Sequence, residues 1–221
     1  AAVTEEMIPG FRFSRASYLA GLLRPQIIDE LGLGKHGFQY LRRDPTSWTP
    51  SLVNGPLGGK SLMIGSDASK THASIAQFSA RDADAFPHYE EFLASIGEII
   101  DPLLDNPLPD ATEGGARDRL QSLSTIQQLV RVGWKHKSVL VPFYDLLTGP
   151  ACQVLDRWFE SDMLKTTLAT DAVIGSMASP EDAGSAYVLL HHVMGSVEGT
   201  RGVWAYVKGG MGAVSEAVAS V

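Results

Sequence analysis

Phe86, Tyr89, Leu93, Ile96, Ile100 and Leu103 recur at intervals of three and four residues. That spacing places all six on one face of a helix, so residues 80–104 read as a single helix of about seven turns. An apolar face of this length must be covered by other elements, which commits much of the chain to helix packing. Ser79 and Asp82 stand at capping-box spacing at its start, with Asp where Glu is usual. Pro87 either kinks the helix or marks its first real turn, and Asp101-Pro102 weakens its last.

Further helices are expected near 117–132, 138–147, 150–160 and 162–175, with Pro142 and Pro150 as punctuation. Residues 105–116 read as a surface loop, because Asn106-Pro107, Pro109-Asp110 and Gly114-Gly115 are turn chemistry. Gly175 to Gly184 is a second loop, in which Ser179-Pro180-Glu181-Asp182 can start a helix over 185–194. Nearer the start, Pro9-Gly10 marks a turn. Ser14 is expected to cap a helix to Leu23, with Tyr18, Leu19, Leu22 and Leu23 as its stripe. Pro25 suits the first turn of a short helix over 26–31, stopped by Gly32 and Gly34. Phe38–Leu41, Ser47–Thr49 and Ser61–Ile64 read as strands of one small antiparallel sheet over 38–65, with turns at Asp44-Pro45 and Asn54-Gly55-Pro56. The fold class expected is α+β, mostly helical, with that small antiparallel sheet.

Composition narrows the function classes. The 221 residues are 44% apolar and 19% charged, which suits a packed core and excludes a disordered tail. One cysteine, Cys152, excludes a disulfide scaffold and reads as a structural thiol. A net charge of −7 makes the chain a poor nucleic-acid binder. Its densest basic cluster, Arg131, Lys135 and Lys137 around His136, reads as a solvated helix face. No run approaches the roughly 20 apolar residues of a membrane span, and the first residues do not read as a signal peptide. The start lacks an initiator methionine and Met211 to Val221 reads as a helix without a stop signal, so a segment of a longer protein is expected.

Few residues suggest chemistry by themselves. Gly209-Gly210-Met211-Gly212 joins a strand-like Val203–Val207 to a helix-like Ala213–Ser220. Such a loop can present backbone N–H groups to an anion, or let the chain pass close to a flat ligand. An ordinary strand-to-helix turn is equally open. The dinucleotide fingerprint is not satisfied, since Ser215 stands where its third glycine belongs. His191-His192 reads as a packed pair rather than a metal site, although one ring facing a substrate cavity stays open. Asp156, Glu160 and Asp162, around Trp158-Phe159, read as helix caps before acid/base groups. No metal site and no catalytic residue is predicted.

The order of several motifs resembles flavoproteins of the phytoene desaturase and carotenoid isomerase type. The motifs are Ala1–Ser14, Ser14–Pro25, Ile75–Ser79, Asp156–Glu160, Leu168–Gly175, Tyr187–Gly195 and Tyr206–Gly212. The resemblance implies that residues 1–221 are the substrate-binding region of a larger FAD-dependent oxidoreductase. Edges of the FAD domain would lie at 1–10 and 203–221, and the Rossmann unit is absent from this sequence. It implies hydride transfer from an apolar or amine-like small-molecule substrate to flavin, with this segment inactive alone. Ala1, Ala2, Gly209 and Gly210 are the cofactor-contacting positions it carries over, with alanine where amine-oxidase relatives often have arginine. Met194, His191, Trp204, Tyr206 and Met211 are expected to line the substrate cavity, because they lie near the glycine loop in sequence. Mitochondrial location follows from the resemblance alone, and a mitochondrial protein partner and a homo-oligomer are left open. A non-catalytic helical interaction module is the alternative.

Overall fold

The computed structural model of the chain describes residues 4–17, 19–52, 55, 58–105 and 116–221. Strands β1 (Thr4–Ile8) and β2 (Phe11–Ser14) are followed by α1 (Pro25–Glu30), a 3-10 turn at Leu33–His36, then β3 (Tyr40–Arg42), β4 (Ser47–Pro50) and β5 (Ser61–Ile64). Seven helices come next: α2 (Ala68–Ala76), α3 (Ala80–Asp105), α4 (Ala116–Lys135), α5 (Leu140–Thr148), α6 (Ala151–Trp158), α7 (Asp162–Ala169) and α8 (Ser185–Val193). Strands β6 (Ser196–Val197), β7 (Thr200–Arg201) and β8 (Ala205–Val207) lead into α9 (Gly212–Ala219). The fold is α+β and mostly helical, as expected from the pattern. The chain divides into two compact units, Ala1–Phe78 with His191–Val221, and Ser79–Leu190.

The helical unit is organised by α3. Phe86, Tyr89, Ile96 and Ile100 are buried, as their spacing requires, and Leu93 is half-buried. The helix runs unbroken through Pro87 and Pro102. Each proline removes one backbone donor, a loss outweighed by burial of the apolar face. Opposite that face Tyr89 meets Phe159 edge-on at 5.2 Å and Trp158 at 5.8 Å, and Phe92 meets Trp158 at 5.5 Å. Aromatic pairs at these separations interact beyond their burial alone. Ser185 Oγ accepts from Ala151 N–H at 2.8 Å and donates to Pro180 C=O at 3.0 Å, tying the start of α6 to the start of α8. Residues 179–182 form a turn rather than the first turn of α8. Ser179 N–H donates to the Asp182 carboxylate and Asp182 N–H to Ser179 C=O. The loop expected at 105–116 lies, over 106–115, outside the described residues.

In the other unit two expectations are corrected. No helix starts at Ser14. Residues 11–14 instead pair antiparallel with β1, Thr4 opposite Ser14 and Glu5 opposite Phe13, across a turn where Gly10 has φ +84°. The alternation Phe11-Arg12-Phe13-Ser14 is a strand pattern, and Arg15 ties the ladder through an ion pair to Glu5 at 3.0 Å. Tyr18, placed in that helix's stripe, lies outside the described residues. The single sheet over 38–65 is also not formed. β4 and β5 pair with each other, Trp48 opposite Met63, whereas β3 pairs with the distant β8, Leu41 opposite Tyr206. Four two-stranded ladders result among the described residues. β3 leaves its sequence neighbours because β8 puts buried Val207 opposite Tyr40, within one cluster formed by Leu33, Phe38 and Ala217. The helix expected at 26–31 is α1, and Gly32 just beyond it is left-handed at φ +59°.

Candidate functional site

The glycine loop after β8 is held by two left-handed residues, Gly209 at φ +85° and Gly210 at φ +80°. Side chains rarely adopt that conformation, so both positions require glycine on backbone grounds. Gly210 has a second reason: a Cβ there would meet Thr4 Cγ2 at 2.8 Å and Ser14 Oγ at 3.0 Å. The hairpin hydroxyls come this close because they cap α9. Met211 N–H donates to Ser14 Oγ at 2.8 Å and Gly212 N–H to Thr4 Oγ1 at 2.8 Å. Gly210 N–H donates to Val207 C=O and Ala213 N–H to Gly210 C=O. The N–H groups of residues 210–213 are therefore satisfied within the protein. Ser14 was expected to cap a helix following it; that Thr4 and Ser14 cap α9 was not legible, since they lie 208 and 197 residues from the groups they accept from. Thr4→Val and Ser14→Ala are each expected to lower stability by about 1 kcal/mol, read from urea denaturation midpoints.

The remaining predicted positions fall into separate surroundings. His192, buried, stacks on Trp204 at 5.6 Å between ring centroids with an interplanar angle of 21°. His191 meets His192 edge-on at 5.4 Å, and burial, then the neighbouring His192, holds its pKa below the usual imidazole range. These three rings form one group. Tyr206 is exposed, between buried Ala205 and Val207, so it lies on the opposite face of β8 beside exposed Leu41. Met211 packs instead against the Leu33–Phe38–Val207–Ala217 cluster. Met194 is half-buried in the turn after α8. Ala1 and Ala2 lie outside the described residues.

The backbone supporting the ring group is packed unusually closely. Ala20 and Ala205 exchange N–H···O=C bonds at 2.8 and 2.9 Å, and Ser196 N–H donates to Gly21 C=O at 2.7 Å. Residues 20–21 are thus held beside two stretches far from them in sequence, around 196 and 205, by small residues. Tyr40, which like Met211 packs against that cluster, was not singled out from sequence. Its hydroxyl is buried without a hydrogen-bond partner, and burial raises its pKa.

Acid/base and metal chemistry find little here. Asp156 and Asp162 both pair with Lys165, at 2.8 and 3.3 Å. Glu160 accepts from Ser79 Oγ at 2.8 Å and Arg81 Nη1 at 3.0 Å, which holds its carboxyl below the usual range. All three carboxylates are thus engaged in ion pairs. Cys152 is half-buried and its N–H donates to Pro180 C=O. Among the described residues no three His, Cys, Asp or Glu side chains are grouped to hold a metal ion.

No protein-family model matches the chain. Among curated proteins it is 55% identical, over its whole length, to pyridine nucleotide-disulfide oxidoreductase domain-containing protein 2 of Mus musculus, of which it covers 39%. The protein of the same name from Rattus norvegicus is 54% identical with the same coverage. An uncharacterized protein of Mycobacterium bovis is 28% identical across the whole chain and 38% of its own length. The chain thus spans about two fifths of the length of these relatives. The similarity thus runs along the whole chain, and two of these relatives are named for an oxidoreductase domain.

Proposed function

We propose that this chain is the substrate-binding part of an FAD-dependent oxidoreductase. The observation that carries the reading is the 55% identity, end to end, with a protein named for a pyridine nucleotide-disulfide oxidoreductase domain. The flavin would accept hydride from a C–H or C–N bond of an apolar or amine-like substrate. The loop before α9 does not fit its pyrophosphate, because the N–H groups of Met211 and Gly212 are already donated to Ser14 and Thr4. The main cofactor contacts are proposed to lie in sequence beyond this segment. Gly209 and Gly210, with Ala1 and Ala2, are proposed to pass near the cofactor as backbone only. His191, Trp204, Met194, Tyr206 and Met211 are proposed as walls of the substrate cavity. The lowered His191 pKa suits a neutral ring beside an apolar ligand. The whole protein is proposed to act in mitochondria, at the matrix or the matrix face of the inner membrane. A protein partner or self-association there is part of the same proposal.

Colour and kinetics test this reading together. The full-length protein is expected to purify yellow with a flavin absorbance band, and residues 1–221 alone to be colourless and inactive. A folded but colourless full-length protein would instead support a non-catalytic interaction module, a second reading favoured by the exposed apolar side chains of α4. Trp204→Ala and Tyr206→Ala in the full-length enzyme are each expected to lower kcat/KM about tenfold with flavin content unchanged. Unchanged kinetics for both would remove these rings from the cavity.

A further inference from the structure

Helix α6 does not cap itself. Its N-cap is Pro150, which has no side-chain acceptor to offer. The first two N–H groups of the helix are satisfied instead from the loop before α8. Ala151 N–H donates to Ser185 Oγ at 2.8 Å, and Cys152 N–H to Pro180 C=O at 3.0 Å. Ser185 Oγ donates in turn to the same Pro180 carbonyl at 3.0 Å. Ala151 and Ser185 are buried, so water is poorly placed to replace these bonds. One carbonyl thus serves two donors, and the turn around it sets its position. In that turn Ser179 N–H donates to Asp182 Oδ2 at 2.8 Å, Asp182 N–H to Ser179 C=O at 3.0 Å, and Glu181 N–H to Ser179 Oγ at 3.2 Å. Ser179, Glu181 and Asp182 are all exposed.

We propose that Ser179 is a phosphorylation site, and that a phosphate there releases the start of α6. Ser179 is followed by Pro180, Glu181 and Asp182. Protein kinases choose substrates by the shape and charge of such neighbours. Proline lacks a backbone N–H and holds the residue before it extended, so the enzyme that fits is one whose groove accepts proline directly after the target serine. Extension opens the turn at a cost of two exposed hydrogen bonds, each worth about 1 kcal/mol, which substrate binding can offset. Ser179 Oγ then bonds to the γ-phosphorus of a nucleoside triphosphate. The bond from that phosphorus to the bridging oxygen breaks, the nucleoside diphosphate leaves, and the hydroxyl proton passes to the kinase's catalytic carboxylate. The product carries about two negative charges in the turn where Ser179 N–H holds the Asp182 carboxylate, with Glu181 alongside. Like charges so placed keep the turn open, and Pro180 C=O is drawn away from Cys152 N–H and Ser185 Oγ. The proposal does not depend on flavin binding.

The test treats the full-length protein with ATP and a proline-directed serine kinase, and locates the phosphate by mass spectrometry. Ser179 is expected to be modified, and Ser179→Ala to lose that phosphopeptide. The phosphorylated protein is expected to melt about 3 °C lower than the parent. The amides of Ala151 and Cys152 are expected to exchange hydrogen about tenfold faster. Asp182→Asn keeps an acceptor oxygen for Ser179 N–H but removes the repelling charge, so phosphorylation is expected to lower its melting by about half as much. Absence of phosphate at Ser179 overturns the proposal, as does a phosphorylated protein whose melting and exchange match the parent. An equal shift in Asp182→Asn also overturns it, because repulsion is then not what opens the turn.

Discussion

Replacing Asp82 by alanine is expected to destabilise the helical unit by about 3 kcal/mol, one of the largest effects of any single substitution in it. Asp82 has no exposed surface. One carboxylate oxygen accepts from Glu160 N–H at 2.9 Å and the other from Ser161 N–H at 2.8 Å. Ser161 is the N-cap of α7 and Glu160 precedes it, so Asp82 of α3 fixes the backbone that leads into α7. Alanine would leave two backbone donors without an acceptor in a place water reaches poorly. Asparagine has a single acceptor oxygen, so Asp82→Asn is expected to lose roughly half as much. Glu160→Gln, which alters exposed pairs with Ser79 and Arg81, is expected to change stability by less than about 1 kcal/mol. The order Ala, Asn, then Gln at Glu160 is read from chemical denaturation. Equal effects at Asp82 and Glu160 would contradict the account.

Asp82 also shows where sequence reading stops. The spacing of Ser79 and Asp82 marks the start of α3, and Asp82 N–H does donate to Ser79 Oγ at 3.1 Å. The carboxylate, however, leaves its own helix for a turn 78 residues away, which no local pattern encodes. The long helices were legible because an apolar face repeats at 3.6 residues whatever it packs against. The short strands were legible as strands and not as pairs. Nothing in Tyr40–Arg42 says that its partner is Ala205–Val207 rather than Ser47–Pro50. At residues 11–14 two local signals compete, a serine suited to capping and an alternating strand pattern, and the hairpin wins by pairing with β1. The site divides in the same way. Gly209 and Gly210 stand out because left-handed backbone selects for glycine. Their hydroxyl partners Thr4 and Ser14, and the stacking of Trp204 on His192, are products of chain closure. The packing of Met211 with Val207 and Ala217 is of the same kind.

Gly195→Val is expected to disrupt that closure by about 3 kcal/mol or more. A Cβ at Gly195 would lie 2.8 Å from Gly21 O, 2.9 Å from Gly21 C and 3.4 Å from its Cα. These are backbone atoms and cannot rotate aside. Gly21 is itself closely flanked, because a Cβ there would meet Val203 O at 3.0 Å. The strain would fall on the Ser196–Gly21 and Ala20–Ala205 hydrogen bonds that carry His192 and Trp204 to each other. Near-ultraviolet circular dichroism of the tryptophans should therefore change along with stability. Gly195→Ala is expected to show the same changes at about 2 kcal/mol. Gly34→Ala supplies the contrast, since no atom lies within 4 Å of its added carbon and its backbone is not left-handed. That substitution should be neutral within about 0.5 kcal/mol. A stable Gly195→Val protein with an unaltered tryptophan spectrum would mean that the three stretches are not packed backbone to backbone, and the ring group would then lack the support that makes it a candidate site.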